Sequence, residues 1–269
     1  MKIILNKNEI KRSFHNNKNL GFVPTMGALH NGHKSLILRS LKECDKTIVS
    51  IFVNKPQFNR KSDFKKYPKT LDRDILFLKK LNVNYLFLPS FKEIYPSGTN
   101  NKIIINSFEK KLCGRFRPGH FRAIVNVINI FLKIINPKKM YLGEKDMQQL
   151  KIIEAYVKKK MIKTKVISCK TIREKNGIPY SSRNLLLSKK EKNLASKIYK
   201  LIYYNKKYII KNTSFLKIIK KNILNMGIKK IEYIEKININ KIIKPYKKNV
   251  NYKIFIAYYL RNTRLIDNI

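Results

Sequence analysis

His30 and His33 lie three residues apart in the stretch GFVPTMGALHNGHKSLI (Gly21–Ile37), in a chain that has only four histidines. A glycine-bearing turn with two imidazoles suits a small set of chemistries. One is a phosphate-binding loop, since Gly27 and Gly32 are followed by Lys34 and Ser35. His33 interrupts that pattern, and the buried runs end at Asn54, Pro89 and Gly143 rather than at the aspartate that such loops pair with magnesium. Zinc is a second possibility, but it needs a third ligand. Neither His120 nor Cys44, Cys113 or Cys169 stands at a recognisable spacing. Two exposed loop histidines are the plain alternative, which a Gly-flanked strand-to-helix junction disfavours. The remaining reading is nucleotide binding without a P-loop. A helix starting near Asn31 offers backbone N–H groups and a positive dipole end to phosphate. Two imidazoles there can donate to phosphate oxygens, and Gly27 and Gly32 allow close backbone approach.

Several elements must position that turn. LGFVP, KTIVSIFVN, VNYLFLPS, KMYLGEKD and KTKVISCKTI read as buried strands, with β-branched or aromatic runs of the right length. HKSLILRSLKECD, TLDRDILFLKKLN and MQQLKIIEAYVKKKM carry the helical period between them. AIVNVINIFLKII reads as a buried helix with one polar stripe at Asn126, Asn129 and Lys133, ending near Asn136-Pro137. Such alternation predicts an α/β fold, a Rossmann-like, mostly parallel sheet with helices on both faces. In such sheets ligands gather at the loops after the strands' carboxyl ends, and polar motifs stand at those places here. Beyond Ser188 the chain turns to Lys-rich helical patterns and a strand-like NYKIFIAYYL. The expected division is residues 1–174 for the larger, nucleotide-binding domain, and 175–269 for a smaller α+β domain closing the site.

Charge and composition leave a second function class open. Lysine and arginine number 60 against 16 acidic residues, a formal net charge of +44. A polyanion partner such as nucleic acid is one reading. The other is base-composition drift, because lysine, asparagine and isoleucine share A- and T-rich codons and the lysines are spread along the whole chain. The richest segment, Phe215–Lys236, is no compact basic block interleaved with aromatics. Three separated cysteines without a C-x-x-C pair read as reduced, buried thiols. The amino-terminal apolar run is too short for a secretory signal, and the most apolar stretch is interrupted by polar residues. The expectation is a cytoplasmic protein with no membrane segment and no specific nucleic-acid partner.

The motifs VPTMGALHNGH, SIFVN followed by QF, EIYPSGT, RPGHFR, GEKDMQQL, SSRN and RLIDN occur in this order from Gly21 to Asn268. The set resembles the pantoate–β-alanine ligase (pantothenate synthetase) family, within the H-x-G-H nucleotidyltransferases related to class I aminoacyl-tRNA synthetases. The resemblance implies ATP-dependent joining of pantoate to β-alanine through a pantoyl-adenylate. It implies ATP accompanied by Mg²⁺ and a homodimer, while no Asp/Glu cluster in the sequence identifies a metal site held by the protein itself. Carried onto this chain it assigns Met26, Gly27, Ala28, Leu29, His30, Asn31, Gly32 and His33 to the ATP loop. His30, His33, Lys145 and Arg183 become the catalytic set, with His33 at the position usually given to a proton donor. Gly143, Glu144, Lys145, Asp146, Ile172, Tyr180, Ser181, Ser182 and Arg183 would complete the nucleotide site. Asp146 also reads as a helix N-cap. Gln57, Gln149 and Asn54 would take pantoate and β-alanine. The chain departs from the family pattern at Lys55-Pro56, Ala123, Ile130 and Tyr180.

Overall fold

Alternating residues of the apolar runs face opposite sides of one sheet, and each side is covered by its own helices. The computed structural model describes residues 1–14, 19–99, 103–243, 246 and 248–269. Its strands are β1 (Lys2–Ile4), β2 (Leu20–Thr25), β3 (Lys46–Ile51), β4 (Tyr85–Phe87), β5 (Lys139–Gly143), β6 (Lys165–Cys169), β7 (Lys230–Asn238), β8 (Tyr252–Leu260) and β9 (Thr263–Asn268). The helices are α1 (Lys7–Phe14), α2 (Asn31–Glu43), α3 (Lys61–Lys66), α4 (Leu71–Lys80), α5 (Phe91–Ile94), α6 (Cys113–Phe116), α7 (His120–Ile135), α8 (Met147–Lys159), α9 (Lys189–Tyr204), α10 (Lys206–Lys211) and α11 (Phe215–Asn225).

The first six strands pair in parallel in the order β1-β4-β3-β2-β5-β6. Phe22, Ile48, Phe87 and Met140 point into a core shared with α1, α7 and α8. Their neighbours Val23, Val49, Leu86 and Tyr141 point the other way, into a core shared with α2 and α4. The period of two thus buries both faces, which is why these strands read as nearly continuous apolar runs. Phe131 of α7 meets Phe22, Phe52 and Phe87 edge-on at centroid distances of 5.7, 6.1 and 6.0 Å. Each such buried side chain contributes about 1.5–3 kcal/mol of transfer free energy.

The strand order reverses between β2 and β5. The loops leaving their carboxyl ends, which carry the His30–His33 turn and Gly143–Asp146, therefore flank the crevice where this kind of sheet takes ligands. β7, β8 and β9 form a separate antiparallel sheet. Ile254, Ile256 and Tyr258 of β8 pack with α9, α10 and α11. On its other face Tyr233, Phe255 and Ala257 join the main core, which fixes the small sheet beside the crevice.

Several sequence expectations need adjusting. The amino-terminal KII forms β1 at the sheet edge, and β7 and β9 escaped notice. NYKIFIAYYL is the central strand of the small sheet. The polar stripe of α7 is not uniformly wet, since Asn126 is buried and only Lys133 is exposed. Asp146 occupies the N-cap position of α8, but its side chain makes no capping hydrogen bond. All three cysteines are buried and free.

Candidate active site

The H-x-G-H turn is built from both ends. His30 is the N-cap of α2, in extended backbone, and its Nδ1 accepts from Gly32 N–H at 3.1 Å. The ring folds back so closely that a Cβ on residue 32 would stand 2.9 Å from His30 Cε1, which explains the glycine. Ahead of it, Gly27 and Ala28 take positive φ of 78° and 50°. The carboxylate of Asp74, on α4 and 2% exposed, accepts from Ala28 N–H and Leu29 N–H, both at 2.8 Å. Thr70 Oγ1 donates to the same carboxylate at 3.1 Å. The strained corner is therefore clamped from outside the turn.

A cavity of about 300 Å³ opens above the switch point, lined by both histidines and Lys145. The two imidazoles stack with centroids 4.0 Å apart, and Tyr180 lies parallel to His30 at 6.2 Å. Burial first, then the charge of Lys145, lowers His30 to about 4. His33 is held well below the usual imidazole range by burial, then by His30 and Lys145. Both rings are neutral at pH 7 and present N–H donors rather than imidazolium charge. His33 Nδ1 is buried without a hydrogen-bond partner among the described residues.

Cations supply the field. Lys145 Nζ lies 3.5 Å from Asp146, Arg183 is paired with Asp63 at 2.9 Å, and both basic residues line the cavity. Arg117 donates to Gln57 O at 3.1 Å and meets His120 Nε2 at 2.9 Å. His120 Nδ1 donates to the same carbonyl at 2.7 Å, so Nε2 is the acceptor and this ring too is neutral. Burial, then Arg183 and Arg264, lowers Arg117 to about 10, the signature of cations converging on a partly buried space. Such a space suits a polyanion such as a nucleotide triphosphate.

Of the residues expected at the site, Met26, His30, Gly32, His33, Asn54, Gln57, Gly143, Lys145, Asp146, Gln149, Ile172, Tyr180, Ser181, Ser182 and Arg183 line this one cavity. Gly27, Ala28, Leu29, Asn31 and Glu144 stand off its wall. Ala28 and Leu29 give their amides to Asp74, so those N–H groups are not available to phosphate. Asn31 Nδ2 donates to Tyr180 Oη at 3.1 Å. Glu144 turns its carboxylate to Ser168 Oγ at 2.7 Å. Asn54 is anchored by Tyr95 Oη, Gln57 Oε1 and Ala123 O, which leaves it presenting Gln57 more than a free amide.

The departures from the family pattern are accommodated. Pro56 sits in the first turn of a short 3-10 helix, Lys55–Gln57, where its missing N–H costs nothing, and Gln57 stays buried in the wall. Ala123 offers its carbonyl to Asn54, and Ile130 packs against the main core. Asp74, Arg117 and His120 were missed as site residues. For Asp74 the signal was an acid four residues before Leu78, which is wholly buried on the same helix face. Arg117 and His120 stood inside RPGHFR, a motif noticed without a role. Among the described residues no cluster of three or more His, Cys, Asp or Glu could hold a metal ion, and no helix is long and apolar enough to cross a membrane.

A doubly covered parallel sheet with a neutral histidine pair facing cations over its switch point defines a nucleotide-binding α/β protein of the H-x-G-H kind. The chain belongs to the pantoate–β-alanine ligase family, whose model matches residues 2–269. Members of this family are amide-forming ligases. A pantothenate synthetase of Sulfurihydrogenibium sp. is 40% identical over 257 residues, covering 94% of this chain and 92% of that protein. One from Francisella philomiragia is 42% identical over 266 residues, covering 97% and 93%. A crystal structure of the Francisella tularensis ligase, complexed with β,γ-ATP and β-alanine, superposes with a TM-score of 0.84 at 39% identity, covering 100% of this chain and 97% of that one. The Thermus thermophilus pantothenate synthetase superposes at 0.92 with 27% identity, covering 100% and 99%.

Proposed function

We propose that this chain condenses pantoate with β-alanine in two steps at this cavity, with Mg·ATP as the activating substrate. A pantoate carboxylate oxygen attacks the α-phosphorus, the bond to the β-phosphate bridge breaks, and diphosphate leaves. The β-alanine nitrogen then attacks the acyl carbon of the pantoyl-adenylate, and AMP departs with the electron pair. The observation that carries this reading is the facing of His30, His33 and Lys145 across the switch point. Neutral imidazole N–H groups and one ammonium are suited to negative charge building on the triphosphate, and they need little reorganisation when it does. In this reading His33 acts first as a hydrogen-bond donor, because its lowered pKa leaves it without a second proton near neutrality.

Ile172 and Tyr180 line the base end, and Ser181, Ser182 and Arg183 close over the phosphates once Arg183 exchanges Asp63 for them. Gln57 and Gln149 take the hydroxyls and carboxylate of pantoate, amides being both donors and acceptors. Residues 1–174 bind the nucleotide and pantoate, while residues 175–269 form the smaller domain that completes the site. The working enzyme is a cytoplasmic homodimer without a specific nucleic-acid partner.

Pantoate-dependent exchange of labelled diphosphate into ATP, with β-alanine left out, tests the first step. Exchange is expected in the wild type, and Lys145→Ala should lower it about 10²–10³-fold, the cost of one transition-state donor. His33→Ala should bring it close to background. No exchange from folded, ATP-binding protein overturns the adenylate.

A further inference from the structure

Asp267 and Asn268 of the carboxy-terminal RLIDN have no part in the chemistry above, yet one side chain reaches the Lys145 loop and the other the base of the hairpin that leads into Ser181–Arg183. Asn268 Nδ2 donates to Glu144 O and to Lys145 O, each at 2.8 Å. Asp267 accepts from Arg173 Nη1 at 2.7 Å and Nη2 at 3.0 Å. Arg173 stands at the base of a hairpin, bridged to Pro179, that leads directly into Tyr180–Arg183. The hairpin is tied onward by Asn184 Nδ2, which donates to Glu174 Oε1 at 2.8 Å and to Pro179 O at 3.0 Å. β9 itself is anchored in the small sheet by the reciprocal Ile254–Ile269 backbone pair at 3.0 Å.

We propose that Asp267 and Asn268 are positioning residues that set Lys145 and the Ser181–Arg183 segment in register with one another. The proposal rests on the reading that these two loops grip the nucleotide. Two backbone carbonyls opposite the amide fix which Asn268 atom is nitrogen, so its orientation needs no further assignment. Its Oδ1 is buried with no partner among the described residues. An unsatisfied buried acceptor is unfavourable, so the chemical use of this side chain is its pair of donors. Those donors bind the backbone of Lys145, the residue that carries the catalytic ammonium, and of Glu144 immediately before it. The small sheet thereby acts on the crevice through two side chains as well as through packing.

Double-mutant cycles in the diphosphate-exchange assay test this. Asn268→Ala should lower kcat about tenfold to a hundredfold, the cost of a roughly 1 Å misplacement, with KM for pantoate unchanged. In a Lys145→Ala background the same substitution should change kcat less than about twofold, because the group it positions is gone. Asp267→Asn should show the same loss of effect in an Arg183→Ala background and keep its effect beside Lys145→Ala. A purely structural role gives effects that multiply in every background, and that result overturns the proposal, as does wild-type kcat in Asn268→Ala. Should Asn268→Ala not fold, Asn268→Leu fills the same volume without a donor and enters the same cycle. Wild-type exchange in Lys145→Ala and Arg183→Ala themselves would refute the assignment of the two loops, and the proposal with it. That outcome is distinct from multiplicative losses.

Discussion

His30 has two duties, and acid undoes the first. Its Nδ1 must be unprotonated to accept from Gly32 N–H and cap α2, while its ring lines the cavity. Its folded pKa of about 4 lies below the 6.5 of a free imidazole. The folded state therefore binds fewer protons in that interval, and stability must fall as pH drops from 6.5 towards 4. The contribution is fully present above 6.5. Asparagine caps helices well through a side-chain oxygen that does not titrate in this range. His30→Asn is expected to flatten the slope of Tm against pH between 6.5 and 4 while reducing diphosphate exchange. Thermal melts across that interval check it, and an unchanged slope would mean that other groups carry the acid sensitivity. His33 adds to the same slope, since burial lowers it in the same direction.

At the scale of elements, the turn before α2 depends on α4 although 46 residues separate Ala28 from Asp74. A carboxylate accepts from both loop amides at once, whereas an amide of the same shape turns an N–H₂ towards one of them. Asp74→Asn is expected to cost about 1–3 kcal/mol, the range for leaving a buried donor unpaired. It should lower exchange as well, because Gly27 and Ala28 lose the contact that holds their positive φ. Chemical denaturation with exchange kinetics tests this, and full activity at reduced stability would make the clamp structural alone. The same clamp marks the limit of what the sequence discloses. β2, β3, α2 and α8 were legible because burial on both faces, or the helical period, writes itself into local composition. Asp74 looked like an ordinary first-turn acid, favourable at any helix start, and its partner loop is remote. β7 was obscured because lysines and glutamates share its alternation with Ile231, Tyr233 and Ile237. β1 is only three residues long and takes its strand character from pairing with β4. Lys145 and Arg183 stand out as motif residues, whereas their register through Asn268 is a product of tertiary structure.

Across the whole molecule the charge has to be reconciled with a site built for anions. The net +44 is spread along the whole chain, and most of the ion pairs join residues remote in sequence, such as Arg183–Asp63, Arg173–Asp267 and Arg264–Glu232. The basic residues around the cavity are Arg117, Lys145, Lys170, Arg183 and Arg264, set among Asp63, Asp146 and Asp267, so most of the lysines lie outside its wall. Self-repulsion among surface cations destabilises a compact state, and it is long-ranged at low ionic strength. Raising salt from about 0.01 M to about 0.15 M shortens the screening length from about 30 Å to about 8 Å. That removes most repulsion between separated lysines and leaves short pairs such as Arg173–Asp267 at 2.7 Å much less affected. Tm is therefore expected to rise with salt over this range, the reverse of a protein stabilised by surface ion pairs. Binding of a mixed-sequence oligonucleotide, followed by anisotropy over the same titration, should be appreciable at the low end and vanish near 0.15 M. Oligonucleotide binding that persists at physiological salt, with ATP failing to compete for it, would make the charge a recognition surface in its own right. Loss of binding together with rising Tm would make it a compositional burden that the fold carries without using.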